Sequence, residues 1–222
     1  YKRKIHKFKI EKNKPMLQYI TNTQCDKSIP DQVKAVLEGG CRWIQLRMKG
    51  ASQEELLAMA KEVKALTDPK EAFLIINDSV DVCRDANATG VHLGKMDTPP
   101  SKARMELGPL AVIGVTANTF DDIKAVRSLD IDYIGMGPYS DTKTKENLAP
   151  VLGLAGISEL CNQMKEAEIN IAHVAVGGIK LEDVQPLLQA GVDGIAVSGA
   201  IAFADDMVEA TRKFCAMLPT GD

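Results

Sequence analysis

Short apolar runs alternate with stretches of helical periodicity along the sequence, and this alternation predicts an α/β protein that folds as a single (β/α)8 TIM barrel. Two further observations support the barrel. The runs are apolar at successive positions, which is typical of parallel strands buried on both faces. Eight such units in a chain of 222 residues also fit the lower end of the size range of these barrels. A doubly wound open sheet is the structural alternative.

The predicted strands and the helices between them follow one another in order. The strands are MLQYIT from Met16, RWIQLR from Arg42, FLIIND from Phe73, GVHLG from Gly90, AVIGVTA from Ala111, YIGMGP from Tyr133, HVAVGG from His173 and GIAVSG from Gly194. Small or acidic residues precede several strands, as expected where a helix ends. The best-defined helix lies in SQEELLAMAKEVKALT, where Ser52 and Glu55 have the spacing of a capping box.

Charge is unevenly distributed along the chain. Residues 1–14 hold seven of the 27 basic residues and one of the 30 acidic residues, which leaves a net charge of −9 for residues 15–222. We therefore expect a basic N-terminal extension over residues 1–14 and a barrel catalytic domain over residues 15–222. The acidic body argues against nucleic acid as a partner.

The sequence also indicates the cellular compartment and the oxidation state of the cysteines. It contains no apolar stretch long enough to cross a bilayer and no signal-peptide pattern, so we expect a cytoplasmic protein without membrane association. Five cysteines are widely spaced without a C-x-x-C pair, and this spacing predicts reduced, structural cysteines. The oligomeric state stays open, with a homo-oligomer as one option.

Polar residues at the end of the second strand predict an anion site. In a (β/α)8 barrel the functional groups lie at the C-terminal ends of the strands. Gln45, Arg47 and Lys49 alternate there and therefore point to the same side. An amide, a guanidinium and an ammonium group together suit a polyanion. The alternative is that the two cations pair with carboxylates of the barrel.

Oxygen ligands follow the next two strands. Asn77 and Asp78 end the third strand, and Asp97 follows the fourth. Two carboxylates and an amide predict a Mg²⁺ site that substrate phosphate and water would complete. For Asp78 alone, the alternative is a helix N-cap. His92 lies inside an apolar strand, and we expect it to be a hydrogen-bonded core histidine.

Glycine-rich turns end the last two strands, in VGGIKLEDV and VSGAIAFADD. Glycine lets backbone N–H groups approach an anion, and a following helix N-terminus favours negative charge. A second anion site, for phosphate, is therefore predicted after strands seven and eight. The loop GPYSDTKTKENLAP, after the sixth strand, is rich in hydroxyl and ammonium groups and would lie between the two sites.

Several motifs together resemble the thiamine-phosphate synthase family over roughly residues 17–204: QLRMK, IIND, VHLGKMD, IGVTANT, IGMGPYSDTKTK, VLGL, AVGGI and DGIAVSGAI. The resemblance implies a (β/α)8 transferase of thiamine biosynthesis with Mg²⁺ bound. Its substrates would be hydroxymethylpyrimidine diphosphate and a thiazole phosphate or the carboxylated form of that thiazole. Diphosphate would leave the pyrimidine methylene, the thiazole nitrogen would attack, and no protein nucleophile is required.

The resemblance also implies roles for individual residues. It assigns the pyrimidine diphosphate to Gln45, Arg47, Lys49, Asn77, Thr116 and Lys145, Mg²⁺ to Asp78 and Asp97, and the thiazole phosphate to Thr142, Thr144, Gly178, Ser198 and Gly199. Arg47, Lys49 and Lys145 would stabilise the charge of the departing diphosphate and are the catalytic candidates.

Three positions depart from the family pattern, and they bear on the alternatives. Met48 stands where glutamate is common, the hydroxyl of Ser198 is shifted by one residue, and Asn118 replaces a frequent histidine. A thiazole tautomerase relies on that histidine and typically lacks the metal aspartates, so Asn118, Asp78 and Asp97 argue against it. A barrel that binds thiamine precursors without turnover is the other alternative. A phosphate-binding isomerase or epimerase should show an acid and base pair, which we do not find.

Overall fold

A computed structural model of the chain describes residues 16–141 and 150–218. Within these ranges, eight parallel strands pair in chain order, and the last pairs with the first to close a barrel. The predicted (β/α)8 barrel is therefore confirmed, and the open sheet is excluded. The strands are β1 Met16–Ile20, β2 Trp43–Leu46, β3 Phe73–Asn77, β4 Gly90–Leu93, β5 Val112–Ala117, β6 Tyr133–Met136, β7 Ala172–Val176 and β8 Gly194–Val197.

Helices connect the strands on the outside of the barrel. They are α1 Ile29–Glu38, α2 Gln53–Thr67, α3 Val80–Asp85, α4 Pro100–Leu107, α5 Phe120–Val126, α6 Gly153–Glu166, α7 Val184–Gln189, α8 Gly199–Ala202 and α9 Met207–Ala216. The predicted capping box of α2 is confirmed, because Ser52 Oγ accepts a hydrogen bond from the backbone N–H of Glu55 and the Glu55 carboxylate accepts one from that of Ser52. Short 3-10 turns precede β3 and α7, at Asp68–Lys70 and Leu181–Asp183.

The apolar residues form two layers, one on each face of the sheet. The outer and larger layer packs strand residues such as Ile44 and Leu74 against the helices. The inner layer fills the barrel with Trp43, Ile75, Val112, Tyr133, Val174 and Ala196. Because side chains alternate along a strand, the residue two positions after each of these faces the interior as well, nearer the C-terminal end.

Tyr133 fills the barrel because a neighbouring strand carries no side chain opposite it. Gly114 of β5 is in register with His92 of β4 on one side and with Tyr133 of β6 on the other. A Cβ atom at Gly114 would overlap the ring and hydroxyl of Tyr133. The Tyr133 ring packs edge-on against Trp43, with 4.9 Å between ring centroids. The small residue on β5 therefore sets where the tyrosine of β6 can lie.

The five cysteines are all described and all unpaired in the structure. Cys41 and Cys83 are buried, and burial raises the pKa of each thiol to about 12. Buried thiols with raised pKa values are poor nucleophiles, which agrees with the structural role predicted from sequence. Among the described helices, none is long and apolar enough to cross a membrane.

We expect Gly114→Ala to lower the free energy of unfolding by about 2 kcal/mol, because an added methyl group must displace the Tyr133 ring in a closely packed interior. Urea titration measures the loss. In a Tyr133→Leu background the same substitution should cost much less, because the two side chains no longer compete for one space. An equal cost in both backgrounds would contradict this account of the packing.

Candidate active site

A cavity of about 640 Å³ opens at the C-terminal ends of the barrel strands. Nine of the residues predicted from sequence line it, namely Gln45, Arg47, Lys49, Asn77, Asp78, Thr116, Gly178, Ser198 and Gly199. A side cavity of about 510 Å³ shares four of these residues and adds Asp97. The three remaining candidates, Thr142, Thr144 and Lys145, lie outside the described residues.

The end of β2 is fixed by the segment that follows β1. The backbone N–H of Arg47 donates to Thr21 Oγ1 at 2.9 Å, and this hydroxyl donates to the carbonyl oxygen of Arg47 at 3.1 Å. The backbone N–H of Thr21 also donates to the carbonyl oxygen of Gln45. Exposure increases from Gln45, which is buried, through Arg47 to Lys49, which is exposed. The strand end therefore presents an amide at depth and two cationic groups towards the mouth.

Asp78 follows β3 in an uncommon backbone conformation. Its φ is +67°, in the left-handed region that asparagine and aspartate tolerate better than most residues. Its backbone N–H donates to the carbonyl oxygen of His92 at 2.8 Å, which ties the end of β3 to β4. The N-cap of α3 is Ser79, whose hydroxyl accepts from the N–H of Val82. The alternative that Asp78 serves as the N-cap is therefore wrong.

The two aspartates and their surroundings fit a sparsely coordinated Mg²⁺ ion. Asp78 and Asp97 line the side cavity together with Asn77, Arg47 and Lys49. One oxygen of Asp97 accepts the N–H of Gly94 at 2.6 Å. Among residues 16–141 and 150–218, no group of three or more histidine, cysteine, aspartate or glutamate side chains could hold a metal by itself. Mg²⁺ often takes one or two carboxylates and completes its shell with water and phosphate, which such a donor set allows.

Backbone groups dominate the opposite side of the cavity, after β7. Gly177 and Gly178 have φ values of +103° and +66°, and a side chain at Gly178 would overlap Ser140. The Ser140 hydroxyl donates to the carbonyl oxygen of Gly178 at 2.9 Å, and its N–H donates to that of Gly177 at 3.0 Å. The turn after β7 is thus held against the segment after β6, and glycine is required for this close approach.

Ser198 is held across the seam where β8 meets β1. Its Oγ accepts a hydrogen bond from Asn22 Nδ2 at 3.3 Å. Asn22 is fixed in turn by the buried side chain of Gln32 on α1, which accepts from the Asn22 N–H at 3.0 Å and donates to its carbonyl oxygen at 2.8 Å. The short helix α8 begins directly afterwards, at Gly199. A hydroxyl and a helix start therefore stand together at the mouth on this side.

Residues that the sequence did not assign to the site also line the cavity. Gln18, Asn22, His92 and Asn118 are among them. His92 is hydrogen-bonded, as expected, but the prediction that it belongs to the core is wrong because its ring forms part of the cavity wall. Strand alternation could have indicated Gln18, which faces the same way as its neighbours Met16 and Ile20.

Asn118, the third departure from the family pattern, links the ends of two strands. Its amide donates to the carbonyl oxygen of Gly137, and its backbone N–H donates to Asp122 at 2.9 Å. Burial opposes ionisation of Asp122, but hydrogen bonds from Lys95 and from the segment at Asn118 outweigh it and lower the pKa of this carboxyl. An amide here supplies structure and cannot transfer protons as a histidine could.

Comparisons with known proteins identify the family to which the sequence is similar. The sequence matches the family model for thiamine monophosphate synthase over residues 17–201. It is 49% identical over 197 residues to the thiamine-phosphate synthase of Bacteroides fragilis, covering 89% of this chain and 97% of that protein. It is 46% identical over 201 residues to the thiamine-phosphate synthase of Bacteroides thetaiotaomicron, covering 90% of this chain and 96% of that protein.

A solved structure gives the same result. The thiamine phosphate pyrophosphorylase from Pyrococcus furiosus superposes with a TM-score of 0.81 at 31% identity, covering 93% of this chain and 96% of that chain. The chain belongs to the thiamine monophosphate synthase family.

Proposed function

We propose that this protein is an enzyme that joins 4-amino-2-methyl-5-hydroxymethylpyrimidine diphosphate to 4-methyl-5-(2-phosphoethyl)thiazole, or to its carboxylated form, giving thiamine phosphate and diphosphate. Family membership supports the reaction. The observation that carries the proposal is the convergence of a cationic strand end, Asp78 and a glycine-rich turn in a single cavity, with Asp97 in the adjoining side cavity. A substrate pair with one diphosphate and one phosphate needs these two kinds of anion site.

The two sides of the cavity suit the two substrates. Gln45, Arg47 and Lys49 on β2, with Asn77 on β3 and Thr116 on β5, would bind the pyrimidine diphosphate. The turn at Gly178 and the start of α8 at Ser198 and Gly199, with Thr142 and Thr144, would bind the thiazole phosphate through N–H and hydroxyl donors. Holding both substrates in one cavity would supply the orientation that the reaction needs.

The reaction exchanges one bond for another at the pyrimidine methylene carbon. The bond from this carbon to the diphosphate oxygen breaks, and a bond to the thiazole nitrogen forms, while diphosphate departs with the electron pair. Arg47, Lys49 and Lys145 would stabilise the charge that develops on the leaving oxygen. Mg²⁺ bound at Asp78 and Asp97 would neutralise part of the diphosphate charge. These residues would therefore act by binding and electrostatics.

We further propose the domain bounds, the cofactor, the compartment and the partners of this enzyme. Residues 15–222 form the catalytic domain and residues 1–14 a basic extension, the cofactor is Mg²⁺, and the enzyme works in the cytoplasm on small molecules without nucleic acid or membrane partners. The acidic body and the donor set at Asp78 and Asp97 support these points. No observation favours a thiazole tautomerase, since Asn118 stands in place of the histidine on which that activity depends.

Mixing the purified protein with the two phosphorylated precursors tests the function directly. We expect thiamine phosphate and diphosphate to form with Mg²⁺ and to stop when a chelator removes the metal, because the leaving diphosphate then keeps its full charge. Chromatography of the products measures both. Product formation in chelator would contradict the metal's role, and binding of the precursors without product would favour the regulatory alternative.

Asp78→Asn should lower kcat/KM by about 100-fold or more while the free energy of unfolding stays nearly unchanged, since asparagine tolerates the left-handed backbone but carries no charge. Asp81→Asn is the matched control, because Asp81 is an exposed residue of α3 that pairs with Arg84. Steady-state kinetics and urea titration measure the two effects. Equal activity of the two variants would argue against Asp78 as a metal ligand.

Lys145→Ala should lower kcat by about 100-fold, because the proposed contact forms with the departing diphosphate and strengthens as charge develops. Lys143→Ala, in the same segment, removes a similar charge from a residue to which no substrate contact is assigned, and it should keep nearly full activity. Parallel kinetic assays compare the two. Similar losses in both variants would point to the overall charge of the loop, and not to Lys145, as the cause.

A further inference from the structure

A series of hydrogen bonds crosses the barrel interior and includes residues that line the cavity. Gln18 Nε2 donates to the Tyr133 hydroxyl at 3.2 Å, and this hydroxyl lies 3.0 Å from Nδ1 of His92. On the other side of the imidazole ring, Nε2 lies 3.0 Å from Oγ1 of Thr116. Tyr133 is buried, whereas Gln18, His92 and Thr116 line the cavity. The series therefore connects a buried tyrosine with a residue assigned to the substrate.

The donor to the Tyr133 oxygen sets the direction in which these hydrogen bonds run. An amide N–H can only donate, so the Tyr133 oxygen accepts from Gln18. The side chain of Gln45 forms a second hydrogen bond with this hydroxyl, and the two amides together act to lower the phenol pKa. Burial has the larger effect and raises the pKa of Tyr133, so the phenol keeps its proton. Because Gln18 donates to the oxygen, Nδ1 of His92, 3.0 Å away, is the acceptor for the hydroxyl proton.

The protonation pattern of His92 follows from this donation. If Nδ1 accepts a proton from Tyr133, the neutral ring carries its own proton on Nε2. Nε2–H then donates to Thr116 Oγ1, 3.0 Å away. The threonine oxygen accepts this bond, so its own proton is left to be donated into the cavity. The donor and acceptor roles of each residue thus fix those of the next, and the last group, the Thr116 hydroxyl, is a donor.

Two glycines provide the space that the hydrogen-bonded side chains occupy, which supports a specific role for this arrangement. Gly114 lies in register between His92 and Tyr133, and any side chain there would overlap the tyrosine. A Cβ atom at Gly135, opposite Thr116, would lie only 3.1 Å from Cε1 of His92. The two rings meet across the gap with 5.4 Å between their centroids. Both ring positions depend on strand positions without side chains.

We propose that Tyr133 is a positioning residue that holds His92 in the Nε2-protonated tautomer and so makes Thr116 a hydrogen-bond donor to an acceptor atom of the bound pyrimidine diphosphate. The identity of the ligand rests on the proposed function, whereas the tautomer does not. Gln18 keeps Tyr133 a donor by donating to its oxygen. Without the tyrosine hydroxyl, the ring proton of His92 can move from Nε2 to Nδ1. Thr116 then donates to Nε2 instead of to the substrate.

Nitrogen NMR of the imidazole rings in the ligand-free protein tests the tautomer. At about pH 8, where an ordinary imidazole is neutral, we expect His92 to carry its proton on Nε2. Tyr133→Phe should shift the ring towards the Nδ1-protonated form. His92→Gln assigns the signal among the three histidines of the chain. A proton on Nδ1 in the unmodified protein would overturn the proposal even if Tyr133→Phe failed to fold, and so would an unchanged ring in the variant.

Two controls separate positioning from general stability. Tyr19 is a second fully buried tyrosine, but its hydroxyl donates to Gln32 at 2.8 Å on the outer face of β1, so Tyr19→Phe should leave the His92 tautomer unchanged. His173, whose ring nitrogens lie 3.0 and 3.1 Å from the carbonyl oxygens of Ile171 and Gly191, is an internal reference in every spectrum. A tautomer change in Tyr19→Phe would show that the effect is not specific to Tyr133.

Kinetics of the same variants test the link to the substrate. Tyr133→Phe should raise the KM for the pyrimidine diphosphate roughly tenfold and leave that for the thiazole phosphate within about twofold. In a Thr116→Val background, Tyr133→Phe should have little further effect, because the donor it controls is gone. Additive losses would overturn the proposal. Absence of synthase activity in the unmodified protein would refute the proposed function and leave the tautomer result to stand separately.

Discussion

Closure of the parallel sheet, with β8 paired to β1, is the constraint on which the rest of the molecule depends. Closure fixes the register of every strand, and alternation then decides which side chains enter the barrel. On β2 and β3 the interior changes from Trp43 and Ile75 to Gln45 and Asn77 within two residues. The candidate active site is therefore the polar continuation of the inner core, and both are set by the same hydrogen-bond ladder.

The interior amides show how this polar region keeps its shape. Gln18, Gln32 and Gln45 are all buried, and each forms hydrogen bonds to other elements. A buried amide left without a partner costs about 1–3 kcal/mol, so each of these side chains strongly favours one arrangement of its neighbours. Gln32 orders the segment after β1, while Gln18 and Gln45 meet at Tyr133. The shape of the site thus rests partly on buried amides, one of which, Gln45, is also assigned to the substrate.

Much of this could be predicted from sequence because the signals were local. Strands buried on both faces and a capping box at Ser52 predicted the barrel and its helices, and the alternation of Arg47 with Lys49 predicted the cationic strand end. The position of His92 could not be predicted, because its apolar neighbours do not reveal that Gly135 leaves space beside it on another strand. The competing N-cap role of Asp78 was excluded only by backbone conformation and by the hydrogen bond of Ser79.

The gap left by Gly114 has a consequence for how this interior can vary. His92 and Tyr133 meet across a strand that contributes no side chain, so the volume at that level of the barrel is shared among three strands. Related sequences could move bulk from β6 to β5 and keep the total constant, which predicts coupled replacement at positions 114 and 133. Such an exchange conserves packing but moves the hydroxyl away from the imidazole. More pairs of side chains at positions 114 and 133 therefore satisfy the packing than keep the hydrogen bond to His92. Covariation of these two positions would report on that hydrogen bond as well as on side-chain size.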